Sequence, residues 1–187
     1  MRLQRTLVPP PSPSNSSDDA RLVARVRAGE PAALGELYSR YARPLFGLAQ
    51  RLMGPEQDAE DVLHDVFLGL PEALRQYEEQ GSLDAWLKRV TARVALNRLR
   101  SYRRRNESSL MGAAGAPTRA AHPLDALALR DALAQLPEKL RAVFVLKAIE
   151  GFSHSEVADL LQISRSASEV RLHRAIRSLR HLLEPER

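Results

Sequence analysis

Residues 151–183 constrain this chain more than any other stretch. Ser153 stands three residues before Glu156, the reciprocal pair that caps a helix N-terminus, and Val157, Ala158, Leu160 and Leu161 follow as an apolar face. That helix has to be short, because a second capping residue, Ser164, arrives three residues after Leu161. Two helices joined so tightly cannot lie side by side as a long hairpin. They cross steeply, as in a helix-turn-helix.

The second helix of the pair divides by angle, at about 100° per residue. Ser168, Leu172, Ala175, Ile176 and Leu179 fall on one side; Val170, Arg174, Arg177 and His181 fall on the other, flanked by Arg171 and Arg180. A helix that hides leucines and shows arginines suits the major groove of DNA, where its first turns meet base edges and later arginines hold phosphate. The plainer reading is a solvated basic face on an ordinary bundle. The capping box, the short turn and the second cap together favour the DNA-reading helix.

The rest of the composition points to an all-helical chain. Alanine, leucine, arginine and glutamate dominate the 187 residues, the 9 glycines are few, and no strand-like alternation runs to any length. No apolar run is long enough to cross a membrane, and the first thirty residues lack the apolar core of a signal peptide. The absence of cysteine excludes disulfides and thiolate metal sites and favours a cytoplasmic location. Charge is divided unevenly. Residues 1–80 hold 9 Lys/Arg against 12 Asp/Glu, and residues 81–187 hold 19 against 11. An acidic first part fits a protein partner and a basic second part fits nucleic acid.

The first 17 residues, rich in proline and serine, read as a disordered tail. Asp18 or Asp19 is expected to cap a helix carrying Leu22, Val23 and Val26 and ending at Gly29, after which Pro31 opens the next. Leu34, Leu37, Tyr38, Tyr41, Leu45, Leu48 and Leu52 recur at helical spacing as core, with Pro44 expected to kink or split the helix. A third helix after Pro55 turns Ala59, Val62, Leu63, Val66, Phe67 and Leu70 inward and presents Glu56, Asp58, Glu60, Asp61 and Asp65 outward. Gly69 and Pro71 should weaken it. Nothing supplies the loop geometry of a calcium site, so the acidic side is either a solvated face or a surface for a basic protein.

Ser82 or Gly81 is expected to cap a long helix bearing Trp86 and ending in Arg98-Leu-Arg-Ser-Tyr-Arg-Arg-Arg105, an electrostatic footprint for phosphate. Residues 106–123 lose all periodicity and read as a flexible linker. One helix from Leu124 to Leu136 and another from Pro137 then support the helix-turn-helix. The expected architecture is therefore all-α: two small helical domains, 18–105 and 124–187, joined by the linker.

Four segments in order, Asp58-Ala-Glu-Asp-Val-Leu-His-Asp-Val-Phe, Trp86-Leu-Lys-Arg-Val, Leu136-Pro-Glu-Lys-Leu-Arg-Ala-Val-Phe and Arg171-Leu-His-Arg-Ala, resemble bacterial RNA polymerase sigma factors of the extracytoplasmic-function group. The resemblance covers about 18–183. It implies that Asp58, Asp61, His64 and Asp65 dock on the clamp helices of the largest polymerase subunit, with the flap region as a further contact. It implies that Trp86, Arg93, Asn97, Arg98, Arg100, Arg103 and Arg104 melt and hold the minus-ten element. It implies that Arg165, Ser166, Val170, Arg171, Arg174 and Arg177 read the minus-thirty-five element. Promoter DNA and core polymerase are the implied partners, an anti-sigma factor is a third the group allows, and no cofactor, metal or catalytic residue is needed. Opening DNA requires unstacked bases to be captured on pockets or aromatic faces, and reading a duplex requires a groove-sized helix.

The chain departs from the group where His64 replaces the usual glutamine, where Arg93 and Asn97 stand for the frequent Asn and Asp, and where Ala167-Ser-Glu-Val170 replaces Thr-Val-Lys-Ser. The alternatives are a free-standing helix-turn-helix repressor and an RNA-binding interaction module. A repressor of this kind usually dimerises to read two half-sites. Neither alternative has a use for the acidic helix.

Overall fold

A computed structural model describes residues 14–78, 81–108 and 125–183, and every regular element among them is helical. The first domain holds α1 (Ser14–Arg27), α2 (Pro31–Met53), α3 (Glu56–Arg75) and α4 (Leu83–Ser108). The second holds α5 (Asp125–Gln135), α6 (Glu138–Phe144) running into one π-helical turn (Val145–Ile149), α7 (His154–Leu161) and α8 (Arg165–Leu183).

Several boundaries differ from the sequence expectation. Helix α1 begins at Ser14, so residues 14–17 of the expected tail are helical, and neither Asp18 nor Asp19 caps it. Asp19 instead lies buried, accepting hydrogen bonds from the Tyr41 hydroxyl and Arg40, both at 2.7 Å. Burial and this carboxylate together push the Tyr41 phenol well above its usual pKa. Helix α2 continues through Pro44, and α3 through Gly69 and Pro71. A proline forfeits one helical hydrogen bond, but Tyr41, Leu45, Leu48 and Ala49 are buried on either side of Pro44, and their packing holds the helix together. Helix α4 runs three residues beyond 105. The disorder expected of the tail and the flexibility expected of the linker fall, for residues 1–13 and 109–123, outside the described residues.

Arg27 reaches from α1 to the far end of α3, donating to the backbone carbonyls of Leu74 at 2.9 Å and of Tyr77. Carbonyls at a helix C-terminus lack intrahelical partners, and a cation there also complements the helix dipole. The segment leading into α4 is thereby tied to α1.

The two domains are packed against each other. Leu48, Leu52 and Met53 of α2, Val62 and Val66 of α3, and Leu96 and Leu99 of α4 belong to one continuous apolar core with Leu133, Leu136, Val143, Leu146, Leu160 and Leu179 of the second domain. A separate core beneath α1 holds Leu22, Val23, Leu37, Leu70, Leu74 and Leu87.

Candidate nucleic-acid and polymerase interfaces

The helix-turn-helix forms as its caps require. Ser153 Oγ accepts from the Glu156 backbone N–H while the Glu156 carboxylate accepts from the Ser153 N–H at 2.8 Å. The backbone donor at Ser153 holds the Glu156 carboxyl below its usual pKa, and Arg89 adds to the effect. Gln162 adopts the left-handed conformation, φ 54° and ψ 51°, and turns the chain. Ser164 Oγ then accepts from the Ala167 N–H at 3.1 Å and opens α8.

Helix α8 is divided as its angles dictate. Ser168, Ala175 and Leu179 are buried, and Ser168 Oγ lies 2.9 Å from His154 Nδ1, which fastens α8 to the start of α7. Val170 is 50% exposed, so no packing explains it. Arg174 and Arg177 are exposed, Arg171 is half-buried, and Arg165 pairs with Glu169 at 3.1 Å. Ser166 Oγ contacts the Ser164 hydroxyl at the same end. The outer face thus presents cations around one apolar side chain.

Three acidic residues of α3 are engaged by α4. Arg98 of α4 bridges Asp61 at 2.8 Å and Asp65 at 2.7 Å, and Tyr102 donates to Asp58 at 3.1 Å. Partial burial opposes the Arg98 charge, but the two carboxylates outweigh it and raise its pKa. His64 and Asp61 also line an open groove of about 590 Å³ between α2 and α3, together with Tyr38, Glu60, Phe67 and Leu68. Tyr38, a core position by its spacing, is 51% exposed, its ring resting on Phe67 at 4.9 Å. Leu68, which falls off the buried stripe, is 73% exposed. Sequence reasoning assigns neither residue to a site, although the same angular plot that turns Val62, Val66 and Leu70 inward leaves Leu68 outside.

On α4 the expected minus-ten residues do not form one free surface. Trp86 is half-buried against Tyr77, ring centroids 4.9 Å apart. Arg93 is exposed, and exposed Asn97 accepts from Arg100 at 2.8 Å. The other arginines turn to protein. Arg100 also donates to the Leu160 carbonyl at 2.7 Å, Arg103 pairs with Glu138 at 2.7 Å, and Arg89 pairs with Glu156. Arg104 contacts the Ser101 hydroxyl at 3.4 Å, and Arg105 stacks over Tyr102. Glu150, whose side chain is 5% exposed, receives Arg51 and, at 3.6 Å, Lys88. These carboxylate partners lie 35 to 99 residues away in sequence, beyond the reach of any local pattern.

Among the described residues no cluster of His, Asp and Glu could hold a metal ion, and no helix is long and apolar enough to cross a membrane.

Comparison with known proteins accounts for both halves. The family model "Sigma-70 region 2" matches residues 37–105, and "Sigma-70, region 4" matches residues 126–179. The ECF RNA polymerase sigma factor SigL of Mycobacterium tuberculosis is 32% identical over 170 residues, covering 87% of this chain and 95% of its own. The sigma factor CarQ of Myxococcus xanthus is also 32% identical, over 163 residues, 85% of this chain and 94% of its own. Among solved structures, CnrH in complex with the cytosolic domain of CnrY is 32% identical with a TM-score of 0.57, covering 88% of this chain and 96% of that one. The sigma factor RpoE of Bartonella quintana, solved with the anti-sigma factor NepR, shares the fold at a TM-score of 0.62 and 21% identity, over 82% of this chain and 98% of its own. With both region models matched in order, and relatives above 30% identity over most of their length, the chain belongs to the extracytoplasmic-function sigma factors of RNA polymerase.

Proposed function

We propose that this sigma factor, which directs RNA polymerase to its promoters, divides that work among three surfaces. The α2–α3 groove docks on the clamp helices of the polymerase: Asp61 gives it charge and His64 a hydrogen-bonding ring, Tyr38 and Leu68 give it apolar area, and Asp58 and Asp65 flank it from the α4 side. Helix α4 and the segment before it hold the opened minus-ten strand, with Trp86 as the aromatic face and Arg93, Asn97, Arg98, Arg100, Arg103 and Arg104 along the backbone path. Helix α8 reads the minus-thirty-five duplex through Arg165, Ser166, Val170, Arg171, Arg174 and Arg177, with the flap region contacting the same domain. The chain catalyses nothing itself and works in the cytoplasm, where the polymerase is.

One observation carries this reading. A single chain exposes an acidic groove with a bare leucine, Leu68 at 73%, and, separately, an arginine helix with a bare valine. Exposed apolar residues set among charges mark interfaces. A free-standing repressor would have no use for the first of these surfaces. CnrH is solved with the cytosolic domain of CnrY bound, and an anti-sigma factor is proposed as a partner here as well. The test is to add the purified chain to core polymerase on a library of random promoters and sequence the transcripts. Initiation at sites sharing two spaced elements is expected. Transcripts no different from those of core alone would sink the reading.

A further inference from the structure

Where the end of α2 meets α5, α6 and the π-helical turn, the fold leaves a cavity of about 490 Å³ that none of the three surfaces above uses. Leu129, Leu133 and Ala134 of α5 and Ile149, the last residue of the π-helical turn, supply its apolar wall. Arg51, Arg130 and Arg141 also line it, with Asp131 as a carboxylate among them. Counted against Asp131 and the Glu150 that Arg51 holds, the three arginines leave one positive charge over. Arg141 carries that charge at the greatest cost. Its Nε is buried and donates to no described group, and the same is true of Arg51 Nε. Glu138, the acidic group whose charge acts on Arg141, is itself held by Arg103 at 2.7 Å. Burial presses the Arg141 pKa below its ordinary value, yet a guanidinium does not deprotonate in a protein. What remains is a desolvated cation beside an apolar wall, a placement that costs stability unless an anion meets it. We propose that this cavity binds a small organic carboxylate, its single negative charge set against Arg141 and Arg51 and its apolar body along Leu129, Leu133 and Ile149.

Size, wall and depth select that class of ligand. The volume is that of about sixteen waters of the liquid, at about 30 Å³ each, so a body of on the order of ten non-hydrogen atoms fits. A bare phosphate or sulfate would leave the leucine and isoleucine wall uncovered. A polynucleotide calls for a row of cations open to solvent, whereas Arg51 and Arg141 are both half-buried. An apolar cavity with a few convergent polar groups is the usual form of a small-molecule site. Its wall comes from α2 on one side and from α5, α6 and the π-helical turn on the other, so an occupant touches both domains. By mass action it would also stabilise the folded chain in proportion to its concentration over its Kd. The site shares no residue with the polymerase or promoter surfaces and stands or falls apart from them.

The test uses the full chain and sodium octanoate, with octanol, acetate and inorganic phosphate as comparison probes. Titration calorimetry reads affinity, and the methyl resonances of Leu133 and Ile149 read location. Octanoate is expected to bind about tenfold or more tightly than octanol, the worth of a hydrogen bond to a charged group. It should also outbind acetate and phosphate, and shift the Leu133 and Ile149 methyls ahead of others. Arg141→Met keeps an apolar stem and removes the charge. It should lower octanoate affinity about tenfold, leave octanol affinity unchanged, and leave the melting temperature unchanged or raised. Arg43→Met removes an exposed cation of α2 that lies outside the cavity wall and should alter neither affinity. Should Arg141→Met fail to fold, Ala134→Phe narrows the cavity at an exposed point of its wall with every arginine in place, and should lower octanoate affinity at least as far. Octanoate binding that is absent, no tighter than octanol or phosphate, or unmoved by the cavity substitutions overturns the proposal. So do methyl shifts confined to other parts of the chain.

Discussion

Helices α4 and α8 look alike as sequence and differ in the fold. Both are amphipathic, rich in arginine and set against an apolar core. In α4, Arg89, Arg98 and Arg103 are held by carboxylates and Arg100 by a carbonyl. In α8, only Arg165 has a carboxylate partner among the described residues, and that partner, Glu169, is one turn away. Arginine density therefore locates electrostatic potential, and the identity of each partner decides whether that potential is used inside the protein or offered outside. Four experiments test the contrast.

The largest effect concerns packing. Leu87, fully buried on the inner side of α4, should cost about 2–5 kcal/mol when replaced by alanine, whereas Val170→Ala in α8 should cost under about 0.5 kcal/mol. Urea unfolding of both variants measures the gap; equal costs would mean that α8 is docked against protein on its outer side.

Next is charge on α8. Arg174→Ala with Arg177→Ala should weaken DNA binding for all sequences alike and reduce the log–log salt slope by about 0.9 for each phosphate deprived of its arginine. A salt titration of binding to upstream duplex reads this directly. A weakening confined to particular bases would reassign these arginines from phosphate to base edges.

Arg98 tests the opposite case. Arg98→Ala should lower stability by about 0.5–1 kcal/mol, since two partly exposed carboxylates lose their shared partner. Reversing charge at Asp61 or Asp65 consequently disturbs the α3–α4 packing as well as the docking face. A polymerase-binding assay on such variants therefore needs an unfolding curve beside it; a stability loss below about 0.2 kcal/mol for Arg98→Ala would place Arg98 with the free arginines.

The smallest effect is in acid. The Glu156 carboxyl is depressed in the fold, so its contribution is fully present above the unfolded carboxylate pKa and is lost as pH falls through the lower, folded value. Stability should be flat near neutrality on this account and decline below about pH 4.5. Glu156→Gln should make that acid decline shallower, which thermal melts at stepped pH will register. An unchanged decline would remove Glu156 from the acid-sensitive groups.

What was legible in the sequence was local. Ser153 with Glu156, Ser164 as the second cap, and the burial of Ser168 opposite Val170 all follow from spacings of a few residues on a regular helix. The order of helices was legible for the same reason. Pro44 does not split its helix, because its cost is fixed in advance while the burial that offsets it depends on neighbours from other helices. Tyr38 misled at the edge of an apolar stripe, where angle alone does not decide between core and groove. The pairing of α4 with Glu138, Glu150 and Glu156 left no local trace, because a carboxylate far along the chain looks like any solvated one.

The Arg27 clasp has a consequence for synthesis on the ribosome. Helix α1 leaves the exit tunnel first, but the carbonyls its guanidinium caps belong to Leu74 and Tyr77, 47 and 50 residues later. Until that length has emerged, the N-terminal helix has nothing to hold at the end of α3, and its apolar side, Leu22, Val23 and Val26, waits for α2 and α3 to arrive. The first domain thus completes itself backwards: α1, made before α2 and α3, is fixed only after them, and nascent chains halted before Tyr77 should leave α1 open to protease.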